Sequence, residues 1–253
     1  MPARLRVRTT MRCLGLMAAV LLVSAPLYAH AAVGATRQSI KELIPKIISA
    51  YGGEDVVKRS RKVYAAGDIT AFMRNYKGIY ARYLERDSKL RVETAYANGS
   101  SELRILNGKT GWRRMDKTPF MEVKEYQLLA MVYQYKQLDM PYGLLTGQYN
   151  ITDEGSSTLN GAEVEVLDLE DSEGPPMKIY VDLKSFHIVR IEGYFFVKGN
   201  LTSLAAEFGD FRKVDGLLLP FKITNFGSGQ LIGETIIKKY KINPSIEGSL
   251  FKP

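Results

Sequence analysis

The sequence predicts a mainly β protein with two or three helices. In this α+β chain the strands form a single curved antiparallel sheet, an incomplete, half-open β-barrel of about ten strands with a helical lid. Three observations carry this reading. Apolar and polar residues alternate over much of the chain after residue 88. Turn dipeptides, Asn107-Gly108, Asn160-Gly161 and Asp215-Gly216 among them, break the alternation where hairpins need them. Only two segments carry helical spacing. Many antiparallel strands with one apolar face must curl or stack to bury it, and two helices cannot cover a flat sheet of that width. A curved sheet with helices across its mouth satisfies the requirement. It leaves an apolar interior that side chains or a ligand must fill.

The first element is an address. Arg4, Arg6, Arg8 and Arg12 precede the apolar run 13–29, and Ala29-His30-Ala31 fits a small-residue cleavage site. Residues 1–31 therefore read as a signal peptide cut between Ala31 and Ala32, and residues 32–253 as one domain. The run falls short of a membrane span of roughly 20 residues, and Pro26 interrupts its end. Cys13 stands at the start of the run, where it is badly placed to carry a lipid. The expected location is the periplasm, reached by export.

The address changes the charge arithmetic. The formal charge is +8, from 35 basic and 27 acidic residues, but the first 31 residues hold four arginines and no acid, leaving +4. Cys13, the single cysteine, and His30, one of two histidines, leave with them. That excludes a thiol nucleophile, a disulfide, a thiolate metal site and any multi-histidine centre in the mature chain. No metal and no cofactor is expected.

Residues 37–51 place Ile40, Leu43, Ile44, Ile47 and Ile48 on one helical face, blemished by Pro45 and ended by Gly52-Gly53. Period-two alternation follows. Leu90, Val92 and Thr94 share one parity, and Leu103 and Ile105 straddle Arg104. A second helix is expected over 121–140, stopped by Pro141 and Gly143. Alternation then resumes through Ile179 and Val181, through Val189, Ile191, Phe195 and Val197, and through Leu217, Leu219, Phe221 and Ile223. The acidic run Asp168–Glu173 reads as a solvated hairpin tip.

Chemistry is hard to find. His187, the one mature histidine, would need a nucleophile and an orienting carboxylate to act as a base, and it reads better as an ordinary strand residue. The G-x-S-x-G, H-E-x-x-H and phosphate-loop patterns are missing. The protein is not expected to be an enzyme. Lys58, Arg59, Arg61 and Lys62 form the densest basic cluster, either a solvated face or a patch for transient docking to anionic head groups. Nucleic acid is not an expected partner, because basic and acidic residues are interspersed. The 15 tyrosines and 10 phenylalanines fit a packed core or an acyl-chain cavity equally well.

Several segments add a resemblance: Tyr51-Gly52-Gly53, the hairpin Asn107–Trp112, Ile179–Glu192, Asp210–Pro220 and the C-terminal Tyr240–Pro253. In that order, behind a signal peptide, they resemble the LolA/LolB-like outer-membrane lipoprotein-sorting protein family along nearly the whole mature chain. The resemblance implies a half-open barrel of about eleven strands. It implies a carrier of lipid or lipoprotein acyl chains that moves them between membranes without covalent catalysis. The alternative is an envelope protein-binding module or stress sensor that uses the same concave face for a polypeptide. Carriers of this kind hold the lid closed with an arginine, whose position no short motif fixes here. Strand parity and the resemblance together nominate Leu90, Val92, Leu103, Ile105, Ile179, Val181, Ile191, Phe195, Leu219, Phe221 and Ile223 as cavity lining, with Leu129 and Tyr133 as lid contacts. The expected partners are lipid or acylated lipoprotein, membrane surfaces, and membrane-bound donor or acceptor proteins.

Overall fold

The computed structural model describes residues 39–253. The expected signal peptide and its cleavage site lie outside the described residues.

Two helices lead, α1 (Ile40–Ala50) and α2 (Glu54–Arg59). Six strands follow as a meander: β1 (Lys62–Ala71), β2 (Tyr76–Glu85), β3 (Lys89–Tyr96), β4 (Ser101–Asn107), β5 (Thr110–Met115) and β6 (Met121–Val123). Helices α3 (Glu125–Leu138) and α4 (Met140–Leu145) come next. A second meander completes the chain: β7 (Asn150–Leu159), β8 (Ala162–Glu170), β9 (Met177–Asp182), β10 (Ile188–Val197), β11 (Asn200–Val214), β12 (Leu217–Gly227) and β13 (Gln230–Ile242). The last strand pairs antiparallel with the first, so both meanders form one sheet of 13 strands, ordered β6-β5-β4-β3-β2-β1-β13-β12-β11-β10-β9-β8-β7. The edges β6 and β7 do not pair; α3 and α4 connect them instead. This is the expected curved, half-open barrel with helices, with thirteen strands in place of ten or eleven and four α-helices in place of two or three.

The additional elements are short, and local chemistry explains them. Acids in its first turn (Glu54, Asp55) and bases in its last (Lys58, Arg59) complement the dipole of the six-residue α2. Pro141 does not end the helical region. It sits in the first turn of α4, where its missing N–H costs nothing. Pro45 lies inside α1 but on its exposed side, so the carbonyl it leaves unbonded can be hydrated while Leu43, Ile47 and Ile48 are buried.

The inner face of the sheet looks toward the helices. Along β1 to β4 it carries Val63 and Ala65, Tyr80, Arg82 and Leu84, Leu90, Val92 and Thr94, and Arg104 and Leu106, as the pairing register requires. Two inner glycines seat α3. A Cβ on Gly193 would lie 2.6 Å from the Tyr133 ring, and one on Gly111 would lie 2.8 Å from Val123 and 3.0 Å from Leu128. The lid helix thus approaches the backbone of β10 on one side and of β5 on the other.

Candidate functional site

The expected lining residues fall into three groups. Ile179, Val181, Ile191 and Phe195 join Leu43, Ile47 and Ile48 of α1 and Met140 and Leu144 of α4 in one buried cluster. Tyr133 reaches into it from α3, donates a hydrogen bond from its hydroxyl to the Ile191 carbonyl (3.0 Å), and stands edge-on to Phe195. Leu90, Val92 and Phe221 belong to a second cluster with Leu84, Leu106, Met131 and Tyr135, and Leu219 packs against both clusters. Most of these residues therefore touch other side chains. Of the nominated set, Tyr133 and Ile223 line the larger interior space, and Ile191 and Leu219 line a smaller one.

Three expectations need correction. Leu103 and Ile105 lie on the outer face of the sheet, where they pack with Phe251 beneath the C-terminal turn Gly248–Phe251. That turn is tied down by Arg91 Nη1 donating to the Leu250 carbonyl (3.0 Å) and Asn107 Nδ2 donating to the Phe251 carbonyl (3.2 Å). Covering this part of the outer face makes the outer positions of β4 apolar, while its inner positions include the charged Arg104, so parity pointed to the wrong face. Leu129 is 40% exposed and lines neither of the two spaces described below, but a separate pocket beside α3 with Leu106, Leu128, Val132 and Tyr135. The acidic run is a solvated tip only in part: Glu170, Ser172 and Glu173 are exposed, but Asp171 forms a buried ion pair with Lys136 of α3 and also accepts from Gln148 Nε2 and the amides of Glu173 and Gly174. Burial works against its ionisation, but Lys136 and those amides overcome it and hold the carboxyl below the usual carboxylate range.

Two interior spaces lie beneath the lid. One, of about 70 Å3, sits under the α3–α4 junction among Tyr51, Leu84, Met140, Tyr142 and Leu218. The other, of about 270 Å3, lies between α3 and the parts of β1, β2, β12 and β13 nearest their hairpin turns. Its deep part holds Tyr80, Arg82, Arg104, Gln134, Gln137 and Thr235; toward the turns it is lined by Ile69, Tyr96, Leu204, Phe226 and Ile232. Neighbouring hairpin tips at that end carry exposed apolar side chains: Phe72 (44%) and Met73 (74%) between β1 and β2, Phe196 (77%) near the end of β10 paired with Leu201 (63%) near the start of β11, and Leu231 after the β12–β13 turn.

The other end is closed. Arg86, just after β2, donates from Nη2 to the Val57 carbonyl (2.6 Å), from Nη1 to the Lys58 carbonyl (2.8 Å) and from Nε to Asp139 (3.0 Å). Its guanidinium lies 3.7 Å from the centre of the Tyr142 ring. One side chain thus fastens the end of α2 and the α3–α4 junction to the sheet. Burial raises the Asp139 carboxyl above the usual carboxylate range, and Arg86 only partly offsets this.

The basic cluster also lies at the closed end. Lys58 pairs with Glu54, Arg61 with Asp87 (3.3 Å) and Lys62 with Glu85 (3.3 Å), so three of its four cations are already matched by acids. The His187 ring packs against Phe211 and Tyr51, and burial lowers its pKa. Among the described residues no group of three or more His, Cys, Asp or Glu could hold a metal ion. No helix among them is long and apolar enough to cross a membrane.

The residues missed by the sequence reading are the polar ones. Arg82 and Arg104 occupy inner positions of apolar strands, and a charged residue on the buried parity of an alternating pattern was the signal available.

With this geometry in hand, the fold finds clear counterparts. A LolA superfamily protein of Nitrosomonas europaea superposes with a TM-score of 0.55 at 16% identity, over 85% of this chain and 98% of that one. A DUF1329 family protein of Desulfovibrio piger gives 0.54 at 13% identity, over 84% and 97%. A putative outer membrane lipoprotein-sorting protein domain of Vibrio parahaemolyticus gives 0.51 at 12% identity, over 85% and 97%. The chain therefore shares the LolA-like fold. No family model matches the sequence, and no curated protein matches it.

Proposed function

We propose that the protein is an exported carrier that holds lipid or lipoprotein acyl chains under α3 and exchanges them with membranes at its hairpin end. The observation that carries this reading is the 270 Å3 cavity, whose lining at Ile69–Ala71 and Ile232–Gly233 borders hairpin tips where Phe72, Met73 and Leu231 are exposed. Moving an acyl chain through water costs about 0.8 kcal/mol per methylene, so a long chain does not cross an aqueous space unprotected. A cavity under a lid removes that barrier without covalent chemistry, and small differences in affinity set the direction of transfer. The lining consists of Tyr133 and Ile223 together with the tip-side residues Ile69, Tyr96, Leu204, Phe226 and Ile232. Membrane contact falls to Phe72, Met73, Phe196 and Leu201 rather than to the Lys58–Lys62 cluster, whose charges are largely paired and lie at the opposite end.

Under this proposal residues 1–31 act as an export leader and the carrier works in the periplasm. The fold shared with a LolA superfamily protein and with a putative outer membrane lipoprotein-sorting protein domain supports the reading. Native mass spectrometry and lipid extraction of protein purified from the periplasm test it. The expected result is a co-purifying lipid and displacement of a fluorescent fatty acid. Lipid-free protein that binds no fluorescent fatty acid, while retaining a polypeptide in pull-downs, contradicts it.

A further inference from the structure

The cavity is not uniformly apolar, and its exception is specific. Arg82 lies on the inner face of β2 between Tyr80 and Leu84, and is only 4% exposed. Its Nη2 reaches the Tyr240 hydroxyl at the long distance of 3.4 Å; Nε and Nη1 are buried without a hydrogen-bond partner. No carboxylate pairs with it among the described residues, although 17 other residue pairs there form ion pairs within 4.0 Å. A buried guanidinium stays protonated, and burying it without a counter-charge carries a large desolvation penalty. Arg104 shares the cavity wall. Its nearest acid, Glu102, stands 3.8 Å away and is held more closely by Arg113, at 2.7 Å. Gln134, on the lid above, has a buried side-chain oxygen without a partner.

We infer that this cavity takes an anionic amphiphile, whose acid group binds Arg82 beside Arg104 while its single chain runs along the tip-side lining to the rim. The inference rests on the carrier reading and adds the chemistry of the ligand's head. A neutral lipid would leave the guanidinium unpaired, and a hydrophilic anion would leave the apolar lining and rim uncovered. Both a carboxylate and a phosphate monoester match the arginine.

Three probes with one chain separate these possibilities: dodecanoate, dodecyl phosphate and dodecanol, titrated calorimetrically into delipidated protein and into Arg82→Met and Arg82→Gln variants. The wild type is expected to bind at least one acid about tenfold or more tightly than the alcohol, since a charge-assisted hydrogen bond is worth that ratio. The better acid identifies the head group. Both variants are expected to lose that preference while keeping dodecanol affinity, and to melt no lower than wild type when unliganded, because an unmatched buried charge has been removed. Equal binding of acid and alcohol by the wild type overturns the inference and leaves the carrier reading intact. So does a preference retained in the variants, or unliganded variants that melt well below wild type. Failure of all three probes to bind overturns both.

Discussion

Arg82 and Arg86 sit four residues apart on the same side of one strand and its extension, and are 4% and 5% exposed. Arg86 has every guanidinium nitrogen engaged, by two carbonyls and Asp139, and an aromatic ring stacked on it. Among the described residues Arg82 has only the phenols of Tyr240, at the long distance of 3.4 Å, and of neighbouring Tyr80 beside it, and no carboxylate. The difference separates the two ends of the molecule. At the closed end α2, α3 and α4 converge, and a buried cation satisfied by the protein itself is a structural fastener. Toward the hairpin tips a cavity separates α3 from the sheet, and a buried cation left without a counter-charge there is a receptor for something else. Burial alone does not assign a role to an arginine; the census of its partners does.

Mutating the two arginines should give opposite results. Arg86→Ala leaves Asp139 buried without its partner and frees two carbonyls, and is expected to cost about 3–5 kcal/mol in urea unfolding. Arg82→Met is expected to leave the unliganded protein at least as stable as wild type. Similar losses at both positions would erase the distinction.

The second fastener sharpens the comparison through pH. Asp171→Asn removes the partner of buried Lys136 and is expected to cost about 3 kcal/mol. Because the folded-state pKa of Asp171 is depressed, its contribution is fully present above the unfolded value of about 3.9 and disappears only as pH falls through the lower folded value. Asp139 behaves oppositely. Its raised folded pKa makes the ionised form a burden at neutral pH, relieved as pH falls through that value. The stability of Asp139→Asn relative to wild type should therefore decline on mild acidification, before the Asp171→Asn penalty changes. Thermal melts across a pH series check the order.

A smaller effect tests how α3 is seated. Gly193→Ala forces a methyl against the Tyr133 ring and is expected to cost about 1–3 kcal/mol, with the same denaturation readout. If it costs nothing, α3 is not held against β10 as described.

Much of the fold was legible because period-two alternation reports directly on a sheet with one buried face. The inner positions of β3, β9 and β12 followed from parity alone. Two conditions defeated it. Where the C-terminal turn covers the outer face, Leu103 and Ile105 are as apolar as inner residues and parity loses its meaning. At β10 a register shift between Ile188 and Arg190 separates Val189 from the parity of Ile191. The site was harder to read. Apolar residues on the inner parity mostly fill the core, whereas the cavity is marked by polar ones, Arg82 and Arg104, that an apolar search passes over. Their partners, or lack of them, are set by strands and a helix distant in sequence.

The central claim is that the acyl chain occupies the hairpin-end cavity under α3. A photoreactive fatty acid with a diazirine on its chain, bound to the protein, irradiated and mapped by peptide mass spectrometry, tests this most directly. The account predicts adducts on the peptides carrying Ile69, Tyr96, Ala130–Gln134 and Phe226–Ile232. Adducts confined to α1, or to the outer face around Ile79 and Leu103, would contradict it.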